Sequence, residues 1–313
     1  MTCCAFVSRR RGRQANALDR FLECVLFVVG LAFGSFLNVC ISRIPHDESV
    51  VSPRSHCPAC SAPIRWYDNI PLVNWLALRG RCRDCAWHIP LRYPVVELLT
   101  GVLFAACYVW FGPTWLTLKF CVFSFLILGL IFMDAETGLL PREFTYPGIV
   151  LGLAFSWIAP GDSAGTQFVL GLYNWHWENV QRLSLLDSAL GAAVGAGFLY
   201  VAWGLYYLVR KKHGMGFGDI ALIAMSGAFL GIKLTLFVIF TAPLLAVIYA
   251  IFLLAWEASG PHSADSSESE ASVDGGRNFF SREIPFGVFL GACSLAAMLV
   301  GQSAWQWYLE MFR

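Results

Sequence analysis

The chain has 313 residues, of which 57% are hydrophobic and only 14% are charged, and its mean hydropathy is +0.60. This composition excludes an ordinary soluble domain and indicates a polytopic membrane protein embedded in a lipid bilayer. The formal net charge is +1, and the charge distribution has none of the features expected of a nucleic-acid-binding protein.

Eight apolar segments are predicted to cross the bilayer, so the expected fold is an all-α polytopic membrane protein. In chain order they are residues 21–42, 93–111, 115–133, 145–159, 186–209, 219–231, 233–256 and 284–304.

The polar stretches between these segments divide the chain into six parts. They are a basic tail (1–20), a first membrane helix (21–42), a polar extramembrane module (43–92), a transmembrane core (93–256), an acidic loop (257–283) and the last helix with the C-terminus (284–313). The acidic loop is predicted to be disordered, because its serine-rich composition cannot bury enough apolar surface to fold.

The distribution of Lys and Arg predicts which side of the membrane faces the cytoplasm. Loops on the side of the 43–92 module hold thirteen of these residues, whereas the opposite side holds four when the N-terminal tail is left aside. Cytoplasmic loops carry an excess of Lys and Arg, so the module is predicted to be cytoplasmic. The five arginines of the tail fall on the other side and oppose this orientation.

Two aspartates lie where long apolar runs meet short polar turns. Asp134 closes one membrane segment, and Asp219 opens another after three alternate glycines, which are Gly214, Gly216 and Gly218. Two predicted crossings separate the aspartates, so both should reach one face of the membrane. Carboxylates close together in a poorly solvated site share a proton, one acting as base toward water and the other as acid. The pair therefore predicts peptide hydrolysis by an aspartic mechanism, with glycines that let an extended peptide approach the backbone.

A structural role for the aspartates is the alternative interpretation. Asp219 at a helix start could be an N-cap, and Asp134 could be a boundary residue that faces lipid headgroups. Carboxylates at membrane depth are costly, and two of them on one face favour the functional interpretation.

Four cysteines of the polar module form two C-x-x-C knuckles. Cys57 and Cys60 make the first, and Cys82 and Cys85 make the second after 21 intervening residues. Two such knuckles supply the four thiolates of a tetrahedral structural zinc site. A cytoplasmic location argues against disulfides. Zinc would fold a loop that lacks a large core of its own.

At these residues the chain resembles the type 4 prepilin peptidases, membrane aspartic proteases that are also N-methyltransferases. The likeness runs from Gly30 to Leu290. Besides the cysteine knuckles, the matching motifs are Gly34-Ser-Phe-Leu-Asn-Val with Arg43 and Pro45, Asp68-Asn-Ile-Pro, Arg79-Gly-Arg-Cys82, Leu91-Arg-Tyr-Pro-Val-Val-Glu97-Leu, the Asp134 run to Pro141, Gly214 to Asp219, and Ile284-Pro-Phe-Gly287.

The resemblance implies a function in the bacterial inner membrane. Asp134 and Asp219 would be the catalytic residues and would face the cytoplasm. The implied substrates are the prepilins of type IV pili or the pseudopilins of type II secretion, cut after the glycine that ends a basic leader. The new N-terminus would then be methylated with S-adenosylmethionine. Candidate residues for the methyl-donor site are Gly34, Asn38 and Glu97, although each could instead be a packing or polar helix contact.

The chain departs from the family pattern at three positions. Family members commonly carry Asp or Asn at the position of Arg142, Lys at that of Ala221 and Pro at that of Val288. Arg142 and Ala221 leave open a noncatalytic assembly factor for a pilus or secretion machine. A proton-coupled transporter is the other rival, and glycine-broken helices at a repeat interface would favour it.

Overall fold

A computed structural model of the chain describes residues 16–161, 166, 179–211, 216–259 and 285–310. The predicted basic tail up to residue 15, Gly214 and residues 260–283 of the predicted acidic loop lie outside the described residues.

The described residues are helical, with isolated β-bridges only in the polar module. The α-helices are α1 (Ala17–Arg43), α2 (Val73–Ala77), α3 (Arg92–Phe111), α4 (Trp115–Thr137), α5 (Arg142–Ile158), α6 (Val180–Arg210), α7 (Phe217–Ser259) and α8 (Phe286–Glu310). Two short 3₁₀ helices, Ile44–His46 and Trp66–Asn69, lie in the module. The predicted all-α fold class is confirmed.

Five helices of the described part are long and apolar enough to cross a membrane, namely α1, α3, α4, α6 and α7. A shorter apolar segment, Phe286–Gly301, lies in α8. The protein is therefore a multi-pass membrane protein, as its composition predicts. Most of these helices start or end a few residues away from the predicted bounds. The first starts at Ala17 rather than residue 21, so the last residues of the predicted basic tail belong to it.

Helix α7 reverses direction at Gly231, where the backbone has φ 78°. Ring contacts with α6 demonstrate the reversal. Trp203 contacts Phe217, at the start of α7, while Phe198 contacts Phe240. In a straight helix Phe217 and Phe240 would be about 35 Å apart, yet both contact a stretch of α6 only about 8 Å long. The first limb (217–230) and the second limb (232–259) therefore form a hairpin, and they correspond to the predicted segments 219–231 and 233–256.

Close helix packing depends on glycine at several crossings. A Cβ atom at Gly30 of α1 would come within 2.7 Å of Gly101 Cα in α3, so the two backbones are nearly in contact. At the polar end of this pair, Arg92 of α3 forms an ion pair with Glu136 of α4. The start of α3 and the end of α4 consequently lie on one side of the bundle, which is also the side of the polar module.

Candidate active site

Asp134 lies near the C-terminal end of α4, which Gly138 terminates in a left-handed conformation with φ 67°. Its carboxylate is buried, and Oδ2 accepts a hydrogen bond of 3.0 Å from the backbone N–H of Val288. The backbone amide of Gly287 also interacts with this carboxylate. Gly287 and Val288 belong to the first turn of α8, where N–H groups have no partner within the helix. The N-terminus of α8 therefore fixes the position of Asp134.

Asp219 lies in the first turn of α7 and is buried to the same degree as Asp134, with 7% and 6% of their surfaces exposed. The backbone amide of Gly216, the residue before α7, interacts with this carboxylate, so Asp219 is not itself the N-cap but reaches back three residues to the N-cap amide. The two carboxylates are close enough to interact electrostatically. The structure thus brings Asp134 and Asp219 together, as the even number of crossings between them predicts.

Leu140 joins the elements that carry the two aspartates. A Cβ atom at Gly218 would lie 2.7 Å from Leu140 Cβ, and one at Gly287 would lie 3.1 Å from Leu140 Cδ1. Gly218 is therefore needed for close packing beside the carboxylates. Among the described residues, the one atom within 4 Å of the place of a Cβ at Gly216 is a backbone nitrogen, that of Gly218 at 3.8 Å.

The four module cysteines converge on one point. The sulfur atoms of Cys57, Cys60, Cys82 and Cys85 all lie within 4.8 Å of one another, so they could hold a metal ion. The donor set, four soft sulfur atoms, fits tetrahedral zinc. This geometry agrees with the zinc site that the spacing predicts.

The two knuckles have the same backbone geometry. Ser61 and Ala86, the residues that follow each C-x-x-C pair, both have φ 57°. Burial raises the pKa of the Cys57 thiol, but backbone N–H groups of Cys60 and Ala59 outweigh this effect and bring the pKa down to about 7. Such N–H groups stabilise the thiolate, the form that binds metal.

A cavity of about 360 Å³ lies between the module and the polar ends of α1 and α3. Its wall includes Asn38 from α1, Glu97 and Tyr93 from α3, and Trp75 and Asp68 from the module. Cys57 and Cys82 also line it, so the cysteine cluster forms part of the same wall.

Two of the residues predicted for the methyl donor face this cavity. Glu97 Oε2 accepts a 2.8 Å hydrogen bond from the backbone N–H of Leu72, a residue with φ 59°. Asn38 donates through Nδ2 to Tyr93 O at 3.0 Å, and its buried Oδ1 has no hydrogen-bond partner within the described residues. Gly34 has a different position, because a Cβ there would lie 2.6 Å from Glu97 Cα. Gly34 thus allows α1 to approach Glu97 and does not itself line the cavity.

Comparison with known proteins identifies the family. The model described as the bacterial peptidase A24 N-terminal domain matches residues 28–111, and that of the type IV leader peptidase family matches residues 120–251. A prepilin leader peptidase/N-methyltransferase of Myxococcus xanthus is 40% identical over 253 residues, covering 79% of this chain and 68% of the relative. The chain belongs to the type IV leader peptidase family.

Relatives with the same name confirm this membership over longer spans. The protein of Neisseria gonorrhoeae is 36% identical over 80% of this chain and 87% of its own length. That of Aeromonas hydrophila is 34% identical over 95% of this chain and 97% of its own length. No solved structure matches the chain. The predicted family and the prediction that the chain is a peptidase are confirmed.

One departure from the family pattern lies in the candidate active site. Val288 donates its N–H to Asp134, and a proline at this position would have no N–H to donate. Arg142 is exposed at the start of α5, and the structure gives no explanation for it or for Ala221. Sequence reasoning missed Leu140, Gly287 and Val288 as site residues. The Ile284-Pro-Phe-Gly287 motif and the unusual Val288 were the available signals.

Proposed function

We propose that the protein is an aspartic endopeptidase that removes the basic leader of prepilins or pseudopilins by cutting after a glycine. The observation that carries this proposal is the meeting of two buried carboxylates, Asp134 and Asp219, at helix ends on one side of the bundle. One carboxylate would remove a proton from the attacking water, and the other would donate a proton to the scissile amide.

The site is suited to a substrate that is part soluble and part membrane-embedded. A basic leader stays in the cytoplasm while the apolar helix behind it lies in the bilayer, so the bond between them lies at the membrane surface. No side chain of the described residues lies within 4 Å of the place of a Cβ at Gly216, which would let an extended peptide approach the backbone beside Asp219. The positive-inside pattern assigns this face to the cytoplasmic side of the bacterial inner membrane.

The protein would also methylate the new N-terminus. S-adenosylmethionine, when bound, supplies an activated methyl group. The cavity beside Glu97 and Asn38 falls within the size range of small-molecule sites. The buried Oδ1 of Asn38, which has no partner among the described residues, and the carboxylate of Glu97 would accept hydrogen bonds from hydroxyl or ammonium groups of the donor. Trp75 would provide an aromatic wall.

The peptidase proposal is tested by incubating the detergent-solubilised enzyme with a prepilin and following loss of the leader by mass spectrometry. Asp134→Asn and Asp219→Asn should each abolish cutting, while methylation of an already processed substrate remains measurable. The matched control is Glu143→Gln, which removes an exposed carboxylate in the first turn of α5 and should leave cutting intact. Normal cutting by either Asn variant would reject the mechanism and favour a noncatalytic role.

The donor site is tested separately by calorimetric titration with S-adenosylmethionine. Glu97→Gln and Asn38→Ala should weaken binding, while the exposed control Glu143→Gln should not. Unchanged affinity in both variants would place the donor site elsewhere.

A further inference from the structure

A second group of buried polar side chains lies at the opposite end of the bundle from the aspartates. It consists of Lys119 in α4, Ser156 in α5, and Asp187 and Ser188 in α6, and we call it the far cluster. All four residues are buried, with Lys119 only 2% exposed. Charged side chains at such depth are costly, so an intramembrane pair of this kind calls for a function.

The far cluster ties three helices together through direct contacts. Lys119 Nζ donates to Ser156 Oγ at 3.2 Å, and Ser156 Oγ lies 2.5 Å from Ser188 Oγ. The ammonium of Lys119 also interacts electrostatically with the carboxylate of Asp187. These contacts join α4 to α5 and α6, so three helices meet at the far cluster.

Asp187 connects the far cluster to the α7 hairpin. A Cβ atom at Gly231 would lie only 1.8 Å from Asp187 Oδ2, so the carboxylate rests directly on the backbone of the turn. Thr166 holds the other oxygen, because its hydroxyl donates to Asp187 Oδ1 at 2.5 Å. A carboxylate at this place is favourable, since the start of a helix, here the second limb of α7, carries a partial positive charge.

The turn at Gly231 is buried within the protein. The first limb, residues 217–230, is about 21 Å long, whereas the hydrocarbon core is about 30 Å thick. Backbone groups at the turn therefore cannot reach water and need partners within the protein. The hydroxyl of Ser156 donates to Gly152 O at 2.8 Å and also lies 3.4 Å from Ala228 O, while Thr235 donates to Gly231 O at 2.6 Å. Thr235 thus supplies a partner for the turn, and Ser156 of the far cluster lies against the backbone just before it.

We propose that Lys119 and Asp187 are positioning residues that fix the register of the first limb of α7 against α4. Asp134 lies on α4 and Asp219 on that limb. The register between the two helices therefore determines the distance between the two carboxylates. Two buried opposite charges that interact across helices add little net stability, but they penalise every register that moves them further apart. This inference rests on the proposed peptidase function.

The test compares Lys119→Met, Asp187→Asn and the double variant in the leader-cleavage assay, with thermal unfolding measured on the same samples. A shift of the limb by about 1 Å should lower kcat about 100-fold in each single variant, with little change in KM. The double variant should regain much of kcat, because it leaves no unpaired charge and Asn still has an oxygen for the turn. Combining Lys119→Met with Asp187→Leu removes that oxygen and should not restore kcat.

Ser124→Ala is the matched control, because it removes another buried hydroxyl from α4 without touching the far cluster. It should leave kcat unchanged. The positioning role would be overturned if the folded single variants kept the wild-type kcat, or if the single and double variants lost kcat equally. Neither result would contradict the peptidase function. Failure of the wild-type enzyme to cut would instead refute the proposed function itself.

Discussion

Gly287 offers the most direct test of how Asp134 is held. In the structure a Cβ atom at this position would lie 2.8 Å from Asp134 Oδ2 and 3.0 Å from its Cγ. A normal carbon–oxygen contact is about 3.3 Å, so Gly287→Ala must push the carboxylate away by about 0.5 Å. The displaced carboxylate would also lose part of its hydrogen bonding to the first turn of α8.

The magnitude follows from the precision that catalysis requires. Since a misplacement of about 1 Å can cost 100-fold in rate, a shift of about half that size should lower kcat about tenfold, or ~1.4 kcal/mol in the activation barrier. Weaker hydrogen bonds to the carboxylate would add to this loss, because bonds to charged groups contribute about 1.5–3 kcal/mol. We therefore expect kcat to fall about 10- to 100-fold, with KM changed little.

The assay is leader removal from a prepilin, with thermal unfolding recorded in parallel. Gly291→Ala is the control, because it lies one turn later in α8 and its Cβ would meet Ile131 Cγ1 at 2.5 Å instead of a carboxylate. Both variants should lose about 1–3 kcal/mol of stability through overpacking, but only Gly287→Ala should lose kcat. Wild-type kcat in folded Gly287→Ala, or an equal loss in Gly291→Ala, would refute the role assigned to the α8 N-terminus.

Three further predictions concern the module and its cavity. Gly34→Ala should force α1 away from Glu97 and lower S-adenosylmethionine affinity more than leader cleavage, as titration and cleavage assays would reveal. Metal analysis should find about one zinc per chain, lost in Cys57→Ser; metal-free but folded wild-type protein would contradict the site. The hydrogen bond from Arg83 lowers the pKa of Asp68 in the folded protein below its value in the unfolded chain. The pair therefore stabilises the module at pH values above the unfolded pKa, and this stabilisation is lost as the pH falls through the folded pKa. The difference in Tm between wild type and Asp68→Asn should therefore be constant from neutral pH to about pH 5 and shrink below about pH 4.

Local patterns in the sequence were sufficient for a large part of the structure. Apolar runs located the membrane helices, including both limbs of α7, because a helix in lipid satisfies its backbone groups by itself. The knuckle spacing located the cysteine cluster, since each C-x-x-C pair folds as one short turn. Counting crossings between Asp134 and Asp219 placed both on one face without knowledge of how the helices pack.

Packing between distant parts of the chain decided the rest. Asp134 and Val288 are 154 positions apart, and no local pattern indicates that the start of α8 supplies hydrogen bonds to this carboxylate. Lys119 and Asp187 each resemble an isolated charge in an apolar run until the helices bring Lys119 to Ser156 and Asp187 to the turn at Gly231. The role of Gly34 was equally hidden in the sequence. The absence of a side chain at Gly34 lets α1 pack closely against α3, and the motif around it does not reveal this contact. The sequence thus determined which segments are apolar enough to enter the membrane. The tertiary structure determined which side chains meet there, because a contact between two helices depends on the complementary surfaces of both.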